Sequence, residues 1–197
     1  MKRELLVIKN AAIEGINSSD RLYEVDLLLR EAECFCLVSA VHQKEVLVEY
    51  LQGFGKLLSG CIRVRGQELS SNDRKEMEKN KVFVISRSTP YMNTLNIGEN
   101  IFLLRRNSLK KVIINERAIR SQTEYYFQKY RIALDAAAAP GTLSNADKII
   151  IGIIRSVSQG ARLIVLYDTS GAFSQKEMVR LTSLISKMKE EGIDTDF

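Results

Sequence analysis

Four side chains that could take part in phosphate or metal chemistry lie just after a predicted strand or near the start of a predicted helix. A lysine or an arginine can pair with phosphate oxygens, and an arginine can make two parallel hydrogen bonds to them. A carboxylate at the end of a strand can polarise an attacking water, and a hydroxyl can cap the first amides of a helix. The four residues are Lys44, Arg87, Ser144 and Asp168.

The apolar pattern predicts the elements that would position these residues. The expected strands are Leu5–Lys9, Val25–Leu29, Cys34–Val38, Cys61–Arg65, Val82–Ser86 and Leu163–Leu166. The expected helices are Glu45–Gln52, Ile114–Arg131, Ala146–Ser158 and Lys176–Glu191. Early strands precede a strand–turn–helix unit, and a helical insert then leads to another helix–strand pair. This order indicates an α/β core with an antiparallel edge and a helical subdomain.

Local spacings predict where several helices begin and end. Ser144 with Asp147, and Ser174 with Glu177, have the three-residue spacing of a capping pair at a helix N-terminus. The alanine run at 136–139 precedes Pro-Gly and predicts a helix end followed by a turn. The last helix has an apolar stripe made of Met178, Leu181, Ile185 and Met188.

The composition argues against several classes of protein. The chain has 197 residues and a net charge of +5, with its charges scattered rather than grouped, so nucleic-acid binding is not expected. No apolar run approaches the roughly 20 residues needed to cross a bilayer, so direct membrane insertion is not expected. Cys34, Cys36 and Cys61 are predicted to be buried thiols of a reducing cytosol. With a single histidine, His42, no metal site is expected.

Longer motifs carry a family resemblance. The segment Thr142–Ser174 resembles the signature helix and Walker B strand of ABC-type ATPases, in order and in spacing. Upstream, Lys44–Gly53 has the spacing of the helix after an ABC phosphate loop, and Ser59–Leu69 is similar to the hairpin that follows it. Lys81–Arg106 resembles the Q-loop region of carbohydrate-importer ATPases. The match runs from about Leu5 to Ile193 and is strongest with the N-terminal cassette of monosaccharide importers.

The resemblance implies a particular α/β fold. It implies an ABC-ATPase-like P-loop core with an antiparallel β edge and a helical subdomain, truncated at the C-terminus. It also implies one domain over residues 1–197, with the helical subdomain inserted at roughly 90–158. The family's switch histidine lies on a strand after the last helix, whereas no histidine follows His42 in this sequence. The switch is therefore expected to be absent.

The phosphate loop departs most from the family pattern. Ser39–Glu45 has no glycine and is one residue short of the family loop, in which glycines let successive amides turn inward around a phosphate. Lys44 occupies the position of the family's lysine, but Glu45 replaces the metal-ligating hydroxyl and would repel a polyanion. We interpret the stretch as a plain strand–turn–helix connection, with Lys44 and Glu45 in the first helical turn and His42 in the turn.

The other positions of the family's site have also changed. Arg87 replaces a glutamine and could pair with a phosphate, although a structural salt bridge is the commoner use of such a residue. Ser144 is kept in the signature, whereas Asp147 replaces a glutamine and would repel a γ-phosphate. Tyr167 replaces the first Walker B carboxylate, and Asp168 stands in the vestigial position of the second. No catalytic residue and no metal ligand is therefore expected.

These departures favour a pseudoenzyme: a degenerate cassette with degenerate Walker motifs, without ATP hydrolysis or a cofactor, in a structural or regulatory role. One alternative is a nucleotide sensor that binds ATP without Mg²⁺ through the vestigial site of Lys44, Arg87 and Ser144; the other is a working sugar-transport ATPase. The expected partner is a protein, either an ABC cassette, a permease or a fused regulatory domain. The expected state is a cytoplasmic monomer or nucleotide-independent dimer, attached to the inner membrane only through a partner.

Overall fold

The computed structural model of the chain describes residues 2–34, 41–69, 73–86, 89–102, 115–167 and 173–190, apart from the side chains of Val41 and His42. Arg87, Asp168 and most of the predicted strand Cys34–Val38 lie outside the described residues. The chain divides into two compact units. The first is Met1–Val84 with Ala161–Val165 and Lys189–Phe197, and the second is Ile85–Gly160 with Leu166–Met188. The single-domain organisation and its inserted subdomain stay a prediction.

The first unit contains a four-stranded antiparallel sheet. Its strands are β1 (Glu4–Glu14), β2 (Arg21–Arg30), β3 (Lys56–Val64) and β4 (Gln67–Glu68), in the spatial order β2-β1-β3-β4. β1 pairs with β2 from Glu4 opposite Arg30 to Glu14 opposite Arg21. The sheet confirms the predicted antiparallel β edge, and its first three strands are longer than the apolar runs that predict them.

Backbone bulges cross three strands of this sheet at nearly the same level. Asn10 in β1, Glu24 in β2 and Gly60 in β3 all have left-handed backbone angles, with φ of 43°, 53° and 80°. The strand registers shift between Ile8 and Ala12 on both sides of β1. The amide of Asn10, which the bulge removes from the ladder, donates to the carboxylate of Asp26 at 2.9 Å. Bulges of this kind bend strands and fix their register.

Helix α1 (Val41–Leu51) and helix α2 (Arg74–Lys79) complete the first unit. Val46, Leu47 and Tyr50 of α1 belong to one buried cluster with apolar side chains of β1 and β3. Tyr50 is only 1% exposed. Asp73 caps α2 by accepting from the amide of Glu76 at 2.7 Å. Burial of one helical face on the sheet therefore holds α1 in place.

A second sheet has two strands among the described residues, β5 (Val82–Ile85) and β6 (Leu163–Leu166). Their bounds agree with the prediction to within one residue. Beyond the paired strands, the amide of Tyr167 donates to the carbonyl of Ile85 at 2.9 Å. This bond fixes the chain immediately before Asp168.

The second unit is helical. It contains α3 (Ile97–Phe102), α4 (Glu116–Tyr130), α5 (Asn145–Val157) and α6 (Gln175–Glu190), and α3 packs on both α4 and α5. Fully buried Asn100 of α3 donates its side-chain amide to the carbonyls of Met92, Leu95 and Asn96 and accepts from the amide of Met92. The loop that precedes α3 is therefore tied to it by one side chain.

Some local predictions are wrong. The alanines at 136–139 are not a helix end, because α4 stops at Tyr130 where Arg131 takes a left-handed C-cap. Met178 does not lie in the buried stripe of α6, which consists of Leu181, Leu184 and Met188; Met178 is 39% exposed. The short elements β4, α2 and α3 have too few residues to show a clear period. No helix in the described part of the chain has both the length and the hydropathy to cross a bilayer.

Candidate functional site

Lys44 is the fourth residue of α1, which begins at Val41, four residues earlier than predicted. The structure confirms that Lys44 and Glu45 lie in a helix, but the prediction of His42 in the preceding turn is wrong, because His42 lies in the same helix. Lys44 is half-buried. The first four amides of an α-helix have no partner within the helix, so Lys44 lies in the turn whose amides are free to bind other groups. Of the features of a phosphate loop, the described residues therefore include the lysine side chain in the first helical turn.

Ser144 is the N-cap of α5. Its hydroxyl accepts from the amide of Asp147 at 3.2 Å, and the Asp147 carboxylate accepts from the Ser144 amide at 3.3 Å. The predicted capping pair is confirmed as a complete capping box. The carboxylate of Asp147 therefore lies at the N-terminus of α5, which is the positive end of the helix dipole.

An arginine of α6 completes this N-terminal arrangement. Arg180 donates to the Asp147 carboxylate at 2.7 Å, and the Asp147 side chain is only 13% exposed. Glu177, from the second predicted capping box, accepts from the amide of Ser174 at 2.9 Å. The bonds from Ser174 lower the pKa of Glu177, and the Ser144 hydroxyl adds to the effect. We call Ser144, Asp147, Glu177 and Arg180 the signature cluster; it holds two carboxylates and one guanidinium.

The predicted nucleotide site of Lys44, Arg87 and Ser144 stays a prediction. Arg87 and Asp168 lie outside the described residues. Lys44 belongs to the first unit and Ser144 to the second. Tyr167 is half-buried at the end of β6. Among the described residues, no group of three or more His, Cys, Asp or Glu side chains could hold a metal ion.

Sequence reasoning missed a half-buried arginine on α5. The guanidinium carbon of Arg155 lies 4.9 Å from the centre of the Tyr91 ring, and Nη1 donates to the carbonyl of Pro90 at 3.2 Å. The Tyr91 hydroxyl donates in turn to the carbonyl of Lys148. Burial raises the pKa of Tyr91 to about 12 and lowers that of Arg155. The signal for this site was that Arg155 is the single charged residue between Ile149 and Val157.

Gly152 has no side chain, which lets α5 approach Ile85 and Tyr91 closely. A methyl group at Gly152 would lie 2.9 Å from a methyl carbon of Ile85 and 3.4 Å from the Tyr91 hydroxyl. α5 therefore contacts Ile85 and Tyr91 through Gly152, and it contacts Tyr91 again through Arg155, about one helical turn later.

Comparison with known sequences gives a consistent set of relatives. The ribose import ATP-binding protein RbsA of Geobacillus kaustophilus is 28% identical over 151 residues, which cover 76% of this chain and 31% of the relative. The galactose/methyl galactoside import ATP-binding protein MglA of Shigella boydii is 24% identical over 181 residues, 92% of this chain and 34% of the relative. This chain thus spans about a third of the length of these relatives. No protein-family model matches it.

Solved structures agree on the fold. The cbiO1 protein of Clostridium perfringens, part of the ABC transporter complex cbiONQ, superposes with a TM-score of 0.77 at 16% identity, covering 98% of this chain and 76% of the other. The ADP conformation of MJ1267, an ATP-binding cassette of an ABC transporter, gives a TM-score of 0.80 at 13% identity, covering 96% and 78%. The fold prediction is confirmed: the chain has the α/β fold of an ABC ATPase cassette, and its sequence relatives are the ATP-binding proteins of ribose and galactose ABC importers.

Proposed function

We propose that this chain is a degenerate ABC cassette that does not hydrolyse ATP and acts as a structural or regulatory module. The observation that carries the proposal is the signature cluster. A free helix N-terminus attracts phosphate through its amides and its dipole. At α5 two of the four end amides, those of Ser144 and Asp147, are already bonded within the capping box, and Glu177 adds a second negative charge nearby.

The residues at the other positions of the family's motifs support the same proposal. The loop before α1 lacks glycines, and Tyr167 stands where a metal-binding carboxylate is needed. A tyrosine cannot replace that carboxylate as a ligand of a water-coordinated Mg²⁺. Asp168 then remains as a vestigial carboxylate with no catalytic role. Loss at several positions is harder to compensate than loss at one.

Two alternatives rest on different observations. Lys44 and Arg87 are cations at positions where a phosphate would lie in a cassette, and they would serve a nucleotide sensor that uses no Mg²⁺. The names of the relatives, which are import ATP-binding proteins, favour a working ATPase subunit of a sugar importer. Because the residues of the family's site have changed at several positions, we rank both alternatives below the cassette without ATP hydrolysis, which we call the silent cassette.

The proposed partner is a protein. One solved neighbour is part of an ABC transporter complex, and another is a dimeric ATP-binding cassette bound to ADP and phosphate. By analogy, this chain would bind an ABC cassette, a permease or a fused regulatory domain. It would do so in the cytoplasm, reaching the inner membrane only through that partner.

Calorimetric titration with ATP and with ADP, each with and without Mg²⁺, tests the proposal. We expect no heat of binding in any of the four titrations and no phosphate release. An ABC cassette known to bind ATP, titrated under the same conditions, is the positive control for the nucleotide stocks. Binding without Mg²⁺ that is lost in Lys44→Ala and in Arg87→Gln would establish the sensor. Mg²⁺-dependent binding with phosphate release would overturn the silent cassette in favour of the ATPase.

A further inference from the structure

The last part of β2 is accessible at the side of its sheet. Among the described strands, β2 lies at one side of the sheet, next to β1. The bulge at Glu24 divides the strand, and beyond it the side chains of Asp26, Leu28 and Arg30 are exposed. Leu28, in the middle of them, is 40% exposed. Another polypeptide can therefore reach the part of β2 that follows the bulge.

A hydrogen bond at the end of β2 shows which backbone groups point outward. The amide of Glu31 donates across the sheet to the carbonyl of Arg3, just before β1, at 2.9 Å. Inward and outward backbone groups alternate along an antiparallel strand, so those of Leu29 and Leu27 also point toward β1. The amide and the carbonyl of Leu28 therefore point away from the sheet, as do those of the residues two positions to either side.

Local structure closes this outward edge at both ends. At Arg30 the amide donates to the carboxylate of Glu33 at 3.0 Å, and the carbonyl accepts from the amide of Glu33 at 3.1 Å. At the other end, the left-handed Glu24, with φ of 53°, interrupts the strand. Between these two points the outward backbone groups are those of Asp26 and Leu28. We call residues 25–29 the edge segment.

We propose that the edge segment pairs with the edge segment of a second copy of this chain, antiparallel and about a two-fold axis at Leu27. This register places Asp26 of each copy opposite Leu28 of the other, and each of these pairs exchanges two backbone hydrogen bonds. Leu27, which is partly buried against the apolar cluster of the first unit, then meets its own counterpart on that side of the sheet. The two four-stranded sheets become continuous.

The charges along β2 favour a second copy in this register. Pairing about Leu27 brings Arg30 of each copy opposite Glu24 of the other, and diagonal to Asp26. The acidic end of one edge segment thus meets the basic end of the other, and opposite charges on neighbouring strands stabilise their pairing. A two-fold axis at Asp26 would instead set two carboxylates side by side.

The proposed interface is closed and small. Two-fold pairing uses the same segment of both copies, so the assembly stops at a dimer. Pairing of so short a segment buries less area than a typical stable complex, and we expect a dissociation constant of about 100 µM. The edge segment belongs to the first unit and the signature cluster to the second, so the pairing does not rest on the proposed loss of ATP hydrolysis.

Sedimentation equilibrium of the full chain, from about 5 µM to about 1 mM, measures the self-association. We expect a monomer–dimer equilibrium that ATP does not change. Glu24→Arg and Arg30→Glu each set like charges opposite one another, so each variant alone should dimerise roughly tenfold more weakly. When the two variants are mixed, opposite charges face each other at both ends, and a mixed dimer should form with the affinity of the parent chain. Exposed Arg117 on α4 supplies the control, since Arg117→Glu should leave dimerisation unchanged.

Disulfide trapping tests the register independently of charge. In Leu27→Cys the two introduced thiols would lie directly opposite each other, in the closer type of antiparallel pair. In Leu28→Cys they would be two positions out of register, with their Cβ atoms about 7 Å apart, too far for a disulfide. Under mild oxidation we expect a covalent dimer of Leu27→Cys but not of Leu28→Cys, with the parent chain giving the background from its native cysteines.

Each result bears on the proposal. A parent chain that stays monomeric at the highest concentration would overturn it and leave the edge to a strand of a different protein. Dimerisation that the charge variants do not weaken, or that their mixture does not restore, would place the interface elsewhere and would also overturn it. The same conclusion would follow if Arg117→Glu weakened the dimer as much as Arg30→Glu. Equal trapping of Leu27→Cys and Leu28→Cys would refute the two-fold axis at Leu27.

Discussion

Gly60 lies where β3 crosses the bulge of β1, and no other residue type fits there. Its φ is +80°, and an added methyl group would lie 2.3 Å from the carbonyl oxygen of Asn10 and 2.5 Å from that of Lys9. Both neighbours are backbone atoms and cannot turn away. Gly60→Ala should therefore lower the free energy of unfolding by roughly 3 kcal/mol or more, as measured by urea denaturation.

Gly66 supplies the matched control for this substitution. It has nearly the same φ, +78°, but nothing lies within 4 Å of the added methyl group. Gly66→Ala should cost only the backbone strain, about 1 kcal/mol. Equal losses in the two variants would show that the contact with Asn10 and Lys9 is unimportant.

Asn100 is a second position at which a small substitution should strongly lower stability. Its side-chain nitrogen faces three carbonyl oxygens at 3.0 Å, in a site with no exposed surface. In Asn100→Asp an oxygen would replace this nitrogen and repel all three carbonyls. We expect a loss of roughly 3 kcal/mol in unfolding free energy. The same substitution at exposed Asn93, in the loop that Asn100 holds, should be nearly neutral; a stable Asn100→Asp protein would refute this account.

At the scale of elements, one contact between α5 and α6 is the ion pair of the signature cluster. Nη2 of Arg180 lies 2.7 Å from Oδ1 of Asp147, and both side chains are partly shielded from water. A double-mutant cycle with Asp147→Asn and Arg180→Gln should give a coupling energy of roughly 1 kcal/mol in urea unfolding. The exposed pair Arg120–Glu124 on α4 is the reference, and its coupling should be smaller. A coupling near zero for Asp147 and Arg180 would mean that the pair does not join the helices.

The elements also show what a sequence can predict. The Ser144–Asp147 cap could be predicted because its partners are three residues apart, and the apolar run after it predicted a deeply buried helix. Arg180 could not be assigned to Asp147, since 33 residues separate them and only tertiary structure brings them together. The alanines at 136–139 favour a helix by propensity, but the left-handed Arg131 ends α4 before reaching them. Local spacing was therefore informative, whereas contacts between distant segments were not.

The same distinction applies to the candidate site. The order of the motifs was enough to predict the cassette fold, because fold depends on many apolar positions. Arg155 was overlooked because its surroundings, Tyr91 and Pro90, come from a segment some 65 residues earlier in the chain. Lys44 was placed in a helix correctly, but the chemistry of Arg87 and Asp168 stays a prediction.

At the scale of the whole molecule, nucleotide should not change the state of association. In the degenerate cassette that we propose, the carboxylates of the signature cluster would repel a phosphate brought by a second subunit. Light scattering coupled to size-exclusion chromatography should give one molar mass, unaffected by ATP with or without Mg²⁺. An ATP-induced doubling of mass would contradict the silent cassette.

The bulges at Asn10, Glu24 and Gly60 also bear on fibril formation. Among the described strands, β2 is an outer strand of its sheet, and a straight outer strand is a template on which further chains can stack. The left-handed Glu24 interrupts this ten-residue strand near its middle, with Asp26 close by. A growing fibril would have to flatten the strand, and the hydrogen bond between Asp26 and the Asn10 amide would then be lost. We therefore expect the residues that set the register of the sheet to hinder amyloid-like growth at this edge as well.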